Sequence, residues 1–534
     1  MADTDAALTR KTEAMEMGSE EEETTFHEAH DTNGRLAEEQ CHMLDSPTPT
    51  HTKDEVNHGS VTSTRVISSR PACSCCWCWP QISPFYRQVI MTMVASMGAF
   101  SIGTIYAYPA VALARWEDAN VKFSTVQTVW FATAPFMVSG VMCAVAGVVL
   151  ERLGVRRCLV MGALVLGLTW VAIAQTTHFR VLLIARLIQG LVASVYMVVM
   201  NVYPMEVSEV RWRGIMIGVA EAMLMLGAFF TYLGGLVLFP APLAYTFAAV
   251  LVLQLILFCF LRESPLWLAR QGREHDIVDS LMCLRGREVD MKPELEYIKS
   301  SVYIDRKHQP TAGEQLLLFR KPIYLKPLTL CILIVLFKEL TGQYAALAYT
   351  VKMFQMVGSS LDPYWCAVVM GAARFFPCFV SWLLIERLPR RLLLSTCMTV
   401  AAASLATLGI FLWVWSDLDK GLPPHLRWLP IMCLSIFTLA FGIGIGPTSW
   451  TIVAELLPSQ VRNVGCGVTN SCVSVFQVLV GLTFPFIVQA VGVGGVFIVY
   501  SLCTLCGVIF VFACLPETRG KSFTEIQTNF GSST

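Results

Sequence analysis

The stretch FGIGIGPTSWTIVAELLPSQVRNVG, residues 441–465, decides the fold because it places helix breakers inside an apolar run. Three glycines lead into Pro447, and Trp450 follows directly. In a soluble helix, glycine and proline cost about 1 and 3 kcal/mol. A bilayer tolerates such a break where the freed backbone faces protein or a water-filled cavity, and broken helices at mid-membrane commonly line a ligand site. We therefore expect a membrane-embedded site near Trp450.

The composition is that of a membrane protein. Of the 534 residues, 55% are hydrophobic and 15% are charged, and the mean hydropathy is +0.58. Soluble domains contain about 25% charged residues, so the deficit indicates lipid as the surrounding solvent. The formal net charge of +0 argues against a nucleic-acid-binding protein. The 19 cysteines lie mostly in apolar segments, which favours small buried side chains over a disulfide framework.

Residues 1–84 are predicted to be a disordered, acidic cytosolic tail, because they contain too few apolar groups to bury a core. The tail ends in CSCCWCWP, residues 73–80. A cysteine cluster beside a membrane span is a candidate for S-palmitoylation. The alternative is an incidental reduced cluster or an adventitious metal site.

Twelve apolar runs follow the tail, each long enough to cross about 30 Å of hydrocarbon. An even number of spans puts both termini on one side of the membrane. Arginines concentrate in the even-numbered connections, so the positive-inside rule predicts that both termini are cytosolic. The predicted spans are 87–110, 126–149, 158–176, 181–204, 214–236, 240–261, 327–352, 364–385, 392–414, 429–453, 463–490 and 494–514.

Repeated motifs indicate two related halves. ERLGVRR at 151–157 corresponds to ERLPRR at 386–391. Glu206 and Arg213 are seven residues apart, and a second Glu–Arg pair at 455 and 462 has the same spacing. A duplicated six-span unit is typical of a two-bundle transporter with a central site.

The predicted architecture is therefore an all-α membrane protein of two six-helix bundles. The stretch PELEYIKSSVYIDR in the longest connection has the spacing of a short amphipathic helix. The expected domains are the tail at 1–84, a bundle at 85–262, a cytosolic linker with short helices at 263–326, a bundle at 327–515 and a cytosolic tail at 516–534.

The charged motifs at the cytosolic helix ends predict a gate. An acidic residue and arginines there can bridge the two bundles on one side only, and such a bridge would hold the outward-open state. The alternative is that these arginines only set the topology. The occurrence of two patterns in both halves favours the gate.

Longer motifs resemble the signature set of the sugar porter family within the major facilitator superfamily, with similarity to arthropod facilitated glucose and trehalose transporters. They span about residues 87–526 and are ERLGVRR, ARLIQG, YPMEVSEVRWRG, RESPLWLARQGR, ERLPRR, GPTSW, AELLPSQVR and PETRGKSFTEI. The resemblance implies a twelve-helix major facilitator fold, alternating access and a mono- or disaccharide substrate. It also implies a cytosolic gate formed by Arg152, Arg156, Arg157, Arg186, Glu206, Arg213, Glu386, Arg387, Arg390, Arg391, Glu455 and Arg462.

The sugar site implied by the resemblance is where this chain departs from the family. Lys338 and Glu339 replace two glutamines, and Tyr344 replaces an asparagine. Glu221 replaces a glutamine on the fifth span, whereas Trp450 is retained. The expected substrate-binding residues are Trp450, Glu221, Lys338, Glu339, Thr341, Tyr344 and Gln477.

Charges within a span cost about 2.5–3.5 kcal/mol each on insertion scales, so these residues are functional candidates. Consecutive residues lie about 100° apart on a helix, so Lys338 is expected to pair with Glu221 across the bundle. The alternative is that Lys338 and Glu339 lie at the edge of a later-starting span. Two carboxylates and one ammonium leave an excess negative charge, which favours a protonatable acid and pH-dependent, proton-coupled transport.

The sequence thus favours a transporter of a sugar, hexose or trehalose-like, or of a similar small polar solute. The alternative is a transporter-like sensor that moves little solute. Protons and the lipid bilayer are the other expected partners. No nucleophile–base pair or metal-ligand spacing indicates an enzyme, a cofactor or a metal site. The expected location is the plasma membrane, with an endolysosomal membrane as the alternative.

Overall fold

The computed structural model describes residues 83–209, 212–286, 291–308, 312–357, 361–416, 426–458 and 461–518. The acidic tail, its cysteine cluster and most of PETRGKSFTEI lie outside these ranges, so what the sequence predicts for them stays a prediction. Within the described ranges every regular element is a helix.

The first half consists of six long helices that correspond to the first six predicted spans. Ser124 and Gln127 form a capping box at the start of α2, in which each side chain bonds the other residue's backbone N–H. Gly154, with φ of 84°, lets the chain turn between α2 and α3. The helices are α1 (Pro84–Asp118), α2 (Thr125–Leu153), α3 (Val155–Gln175), α4 (Phe179–Val207), α5 (Arg213–Val237) and α6 (Pro240–Cys259).

Four shorter helices join the halves, and α9 covers the stretch predicted to be an amphipathic helix. The indole N–H of Trp267 donates to the backbone carbonyl of Glu151 at 2.8 Å, which ties this linker to the end of α2. The helices are α7 (Pro265–Arg270), α8 (Glu274–Arg285), α9 (Lys292–His308) and α10 (Ala312–Leu318). Their small separate core is formed by Trp267, Leu268, Ile277, Leu281 and Ile298.

The second half is less regular than the first. Gly342, in a left-handed conformation with φ of 81°, divides the predicted seventh span. Gly492, with φ of 74° and ψ of 172°, kinks the 53-residue final helix between the last two predicted spans. The helices are α11 (Pro322–Leu340), α12 (Gln343–Ala348), α13 (Thr350–Val357), α14 (Pro363–Phe375), α15 (Pro377–Arg387), α16 (Arg390–Ser416), α17 (Leu429–Ala440), α18 (Gly446–Leu456) and α19 (Arg462–Cys514).

Ten helical segments of the described residues are long and apolar enough to cross a membrane. The sequence predicted twelve spans, and two features account for the difference. The kinked α19 contains two predicted spans in one continuous segment. The seventh predicted span is interrupted at Gly342 and carries Lys338 and Glu339 at the end of α11, so no single apolar helix covers it.

The two halves meet mainly where α2 packs on α19 and α5 packs on α14. Glycines permit this approach: a Cβ atom added to Gly140 would lie 3.3 Å from the Ser474 side chain. One added to Gly371 would lie 2.8 Å from the Tyr232 ring. The main core of buried apolar side chains includes residues of both halves. Polar groups at this interface can therefore contact each other across the two halves.

Candidate functional site

The glycine-rich stretch forms a π-helical turn, whereas the sequence predicted a break with freed backbone groups. The turn Phe441–Ile445 connects α17 to α18, and its ends keep helical dihedral angles. Gly444 packs against α16, since a Cβ atom there would lie 3.2 Å from the carbonyl oxygen of Leu393. Pro447 falls in the first turn of α18, where its missing N–H is tolerated. Trp450 therefore lies on a continuous, locally distorted helix.

Lys338 and Glu339 form a buried ion pair at the end of α11. Lys338 Nζ lies 2.5 Å from Glu339 Oε1, and the two side chains are 8% and 3% exposed. The amide of Gln477 donates to the same Glu339 oxygen at 3.5 Å. The Lys338 ammonium also lies 5.3 Å from the centroid of the Trp450 ring. This burial excludes the alternative in which both charges lie at the edge of a span.

The predicted pair between Lys338 and Glu221 is wrong, because Lys338 pairs with its neighbour. The flexible lysine stem lets the ammonium reach the adjacent carboxylate despite the angular step between consecutive residues.

The Thr341 hydroxyl donates to the Lys338 carbonyl oxygen at 2.8 Å, where α11 ends. The Thr341 hydroxyl, which was expected to bind substrate, thus donates its proton to a backbone carbonyl instead.

Arg374 on α14 adds a fourth charge beside Glu221, Lys338 and Glu339, and it is absent from the expected binding residues. Its Nε atom donates to the sulfur of Met225 on α5 at 2.8 Å. Its guanidinium carbon lies 5.3 Å from the centroid of the Phe441 ring. The same guanidinium interacts electrostatically with Glu221 and Glu339. The sequence does carry a signal for an interior charge here, because Arg374 is the one charged residue within the predicted span 364–385.

With Arg374 included, the interior cluster contains two carboxylates and two cations, which sum to zero charge. We call this set, Glu221, Lys338, Glu339 and Arg374, the interior charge cluster. The predicted excess negative charge, on which the proton-coupling argument depended, is wrong for this reason.

Tyr344 links the two halves. Its hydroxyl donates to the carbonyl oxygen of Ala132 on α2 at 2.9 Å. Its ring packs edge-on against Phe136, with centroids 4.5 Å apart. Since Tyr344 is only 3% exposed, its polar atom is used within the fold. Among the expected binding residues, Glu221, Trp450 and Gln477 are the ones that remain partly exposed.

Two glutamates cap corresponding helices of the two halves. Glu263 accepts hydrogen bonds from the first two backbone N–H groups of α3, at 2.9 and 3.1 Å. Glu517 accepts from the first two backbone N–H groups of α16, also at 2.9 and 3.1 Å. A helix N-terminus favours such a negative charge. Burial raises the pKa of Glu263, and these hydrogen bonds partly offset the effect.

Two glutamates of the predicted gate form ion pairs, one with a linker helix and one within the second half. Glu206 pairs with Arg270 at 3.6 Å, and Glu455 pairs with Arg390 at 3.5 Å. The Thr518 hydroxyl donates to the other oxygen of Glu455 at 2.5 Å. Neither of these two ion pairs joins the two halves, so the predicted bridge between the bundles stays a prediction. The side chain of Glu386 lies outside the described part of the chain.

Arg186 does not lie with the other gate residues, so its assignment to the cytosolic gate is wrong. It is fully buried and donates to the carbonyl oxygens of Ile105 and Phe131, at 2.8 and 3.1 Å. It also donates to the Gln189 amide oxygen at 2.9 Å. Arg186 precedes Glu206 by 20 residues on α4, which corresponds to about 30 Å along the helix. Its physical role is to join α4 to α1 and α2.

Contacts between the halves occur at the end of α1 that is remote from the gate residues. Lys352 Nζ lies 3.1 Å from Glu117 Oε2, and the Tyr364 hydroxyl donates to Asp118 Oδ2 at 2.7 Å. The guanidinium carbon of Arg115 lies 3.9 Å from the centroid of the Tyr364 ring. We call these five residues the clamp. The clamp joins the halves at this face, and none of its residues is among the expected site residues.

A helical chain with two related halves, polar groups of both halves at their interface and a clamp across one face belongs to the class of multi-pass membrane transporters. The profile of the family described as "Sugar (and other) transporter" matches residues 81–530, so the chain belongs to that family.

Similar proteins support this assignment. The chain is 30% identical over 446 residues to the facilitated trehalose transporter Tret1 of Culex quinquefasciatus, covering 83% of this chain and 85% of the relative. It is 30% identical over 458 residues to the Tret1-2 homolog of Drosophila simulans, covering 84% and 92%. The structure of the MFS proton:xylose symporter XylE bound to 6-bromo-6-deoxy-D-glucose matches with a TM-score of 0.66 and 18% identity, covering 84% and 99%. The resemblance to sugar porters is confirmed, and the chain is a transporter and not an enzyme.

Replacing Trp450 with alanine is expected to lower transport about tenfold without an equal loss of folded protein. The partly exposed indole can present a flat apolar face and an N–H donor to a ring-shaped solute. Losing about 1.4 kcal/mol of solute binding corresponds to a factor of ten. The Lys338 ammonium, 5.3 Å from the ring centroid, holds the ring in place. Uptake per molecule at the cell surface measures the effect. Trp450→Phe retains an aromatic face and is the matched control. A fall in surface expression that parallels the fall in uptake would instead make Trp450 a packing residue.

Proposed function

We propose that this protein moves a sugar, or a small polar solute of similar size, across a membrane by alternating access. The observation that supports this most is that charged groups of both halves meet at their interface. Glu221 comes from the first half, and Lys338 and Arg374 come from the second. A site between two bundles opens to either side in turn when one bundle rocks against the other. The names of the relatives support sugars as the first solutes to test.

The proposed topology has twelve spans with both termini in the cytosol. The kink at Gly492 divides α19 into two spans, and α11, α12 and α13 together form an interrupted seventh span. The arginine-rich helix ends support a cytosolic location for the face with the gate residues. The proposed bundles are 85–262 and 327–515, with the linker 263–326 and the tail 516–534 on the cytosolic side.

The proposed mode is facilitated movement without proton coupling. The interior charge cluster sums to zero, so it carries no net negative charge for a proton to neutralise. XylE is described as a proton:xylose symporter, so uptake with and without a pH gradient is a necessary comparison. No observation favours the sensor alternative. The names of the relatives fit a plasma-membrane location, which we propose here.

The clamp provides the test of alternating access. Tyr364→Phe removes the hydrogen bond to Asp118, which is a partly buried bond to a charged acceptor. Such bonds contribute about 1.5–3 kcal/mol, so clamp-open states should gain population about tenfold or more. Labelling of an introduced Ala346→Cys by an impermeant maleimide, together with counterflow of labelled glucose, xylose and trehalose, measures the shift.

Tyr245→Phe, on an exposed tyrosine of α6, is the matched control and should leave labelling unchanged. Equal labelling of Tyr364→Phe and the parent protein, in the absence of any counterflow, would contradict alternating access. Uptake that requires a proton gradient would contradict the proposed facilitated mode.

A further inference from the structure

Two members of the interior charge cluster face each other across the interface of the halves without forming an ion pair. Arg374 on α14 contacts the sulfur of Met225 at 2.8 Å. Met225 lies four residues after Glu221 on α5, so both occupy the same helix face one turn apart. Two cations, Arg374 and Lys338, interact electrostatically with the Glu221 carboxylate, and the interaction with Arg374 is the stronger one. Glu221 and Arg374 therefore lie opposite each other, one from each half.

Neither of these charges is neutralised by direct contact. Arg374 Nη1 is buried and has no hydrogen-bond partner in the part of the chain that the structure describes. Its Nε donates only to a thioether sulfur, which is a weak acceptor. In the same described residues, no cation nitrogen lies within ion-pairing distance, 4.0 Å, of the Glu221 carboxylate.

The other two charges of the cluster already neutralise each other, so they cannot neutralise Glu221 or Arg374. Lys338 and Glu339 contact each other at 2.5 Å and are almost completely buried. Gln477 donates a hydrogen bond to the Glu339 oxygen, and the Trp450 ring lies beside the Lys338 ammonium, so both residues help to hold this pair in place. The cluster thus divides into two pairs. Lys338 and Glu339 are in contact within the second half, whereas Glu221 and Arg374 lie opposite each other across the halves without contact, and we call these two the open pair.

An unpaired charge in a low-dielectric interior is costly, so an open pair of opposite charges calls for a ligand that neutralises both. A neutral solute would leave both groups uncompensated, and a simple anion or cation would leave one. A solute with an ammonium at one end and a carboxylate at the other neutralises both groups at once. Its carboxylate can form the planar, two-point contact that a guanidinium favours.

We infer that Glu221 and Arg374 form a binding site for a zwitterionic solute, with its ammonium end at Glu221 and its carboxylate end at Arg374. This inference rests on the proposed function and narrows its class of solute. Because each end of the solute would contact a different half, binding would draw the halves together around the solute.

The test uses the full chain in proteoliposomes and a ladder of labelled ω-amino acids from glycine to 6-aminohexanoate. The expected result is saturable counterflow that peaks at one chain length, set by the separation of Glu221 and Arg374. Matched amines, carboxylates, glucose and trehalose should each move about tenfold more slowly, because each leaves at least one buried charge unpaired. Glu221→Gln and Arg374→Gln should each lower zwitterion counterflow about tenfold, the factor that corresponds to about 1.4 kcal/mol.

Exposed charges provide the controls: Glu296→Gln and Arg180→Gln should leave counterflow unchanged. If the single variants fold poorly, the exchange Glu221→Arg with Arg374→Glu keeps both charges and should recover zwitterion transport. Saturable transport of neutral sugars with no transport of any zwitterion would overturn the inference and leave the proposed function intact. Loss of sugar transport in both single variants, restored by the exchange, would show that the two residues only pair with each other. Failure of the proposed function itself is recognised separately, by the maleimide labelling of Tyr364→Phe.

Discussion

Replacing Glu339 with glutamine should destabilise the folded protein strongly. The change leaves the Lys338 ammonium in a buried site without its partner at 2.5 Å, and the two side chains are only 8% and 3% exposed. Removing one partner of a buried ion pair typically costs about 3–5 kcal/mol, because the remaining charge is uncompensated. We expect a lower melting temperature of the purified protein and a reduced yield of monodisperse material. Transport should fall with the amount of folded protein.

The double variant Lys338→Gln with Glu339→Gln tests whether the unpaired Lys338 charge alone causes the loss of stability. Both charges are then absent, so stability should return close to that of the parent protein, as replaced buried pairs often do. Glu296→Gln, at an exposed position of the linker, is the matched single control. If Glu339→Gln melts at the parent temperature, the pair is not a buried structural unit. If the double variant is as unstable as the single one, Glu339 stabilises the fold through a partner other than Lys338.

Replacing Gly227 with alanine should also destabilise the folded protein strongly, because α1 and α5 cross with almost no space between their backbones. A Cβ atom at Gly227 would overlap the carbonyl oxygen of Phe100 and lie 2.9 Å from its carbonyl carbon. The contact is reciprocal, since a Cβ atom at Gly103 would overlap the carbonyl oxygen of Leu224. Small residues allow this kind of close helix approach in membranes. The added methyl group must push two backbones apart, which we expect to cost about 3 kcal/mol.

Gly167→Ala is the matched control, because a Cβ atom there meets nothing within 4 Å. It lies inside α3, so alanine should be neutral or should stabilise the helix by about 0.5–1 kcal/mol. Melting temperature and the yield of folded protein measure both variants. Equal stability of the Gly227 and Gly167 variants would show that α1 and α5 can separate at no cost.

The sequence predicted much of the architecture because spanning a bilayer is a local property of a segment. A run of about 20 apolar residues crosses the hydrocarbon core whatever its neighbours are. The six helices of the first half therefore follow the predicted spans, and the repeated motifs indicated two related halves. At Gly342 and Gly492, backbone conformations with positive φ interrupt or join spans in ways that hydropathy does not report.

The sequence by itself determined the membrane class, the family and the candidate residues Glu221, Lys338, Glu339 and Trp450. The tertiary structure decided how these residues are paired. Lys338 contacts its neighbour instead of Glu221, and Arg374 joins the cluster from another helix. Which side chains meet depends on the rotation and spacing of packed helices, which are set by contacts between residues far apart in the chain. For the same reason the clamp and the true position of Arg186 emerged only from the packed structure.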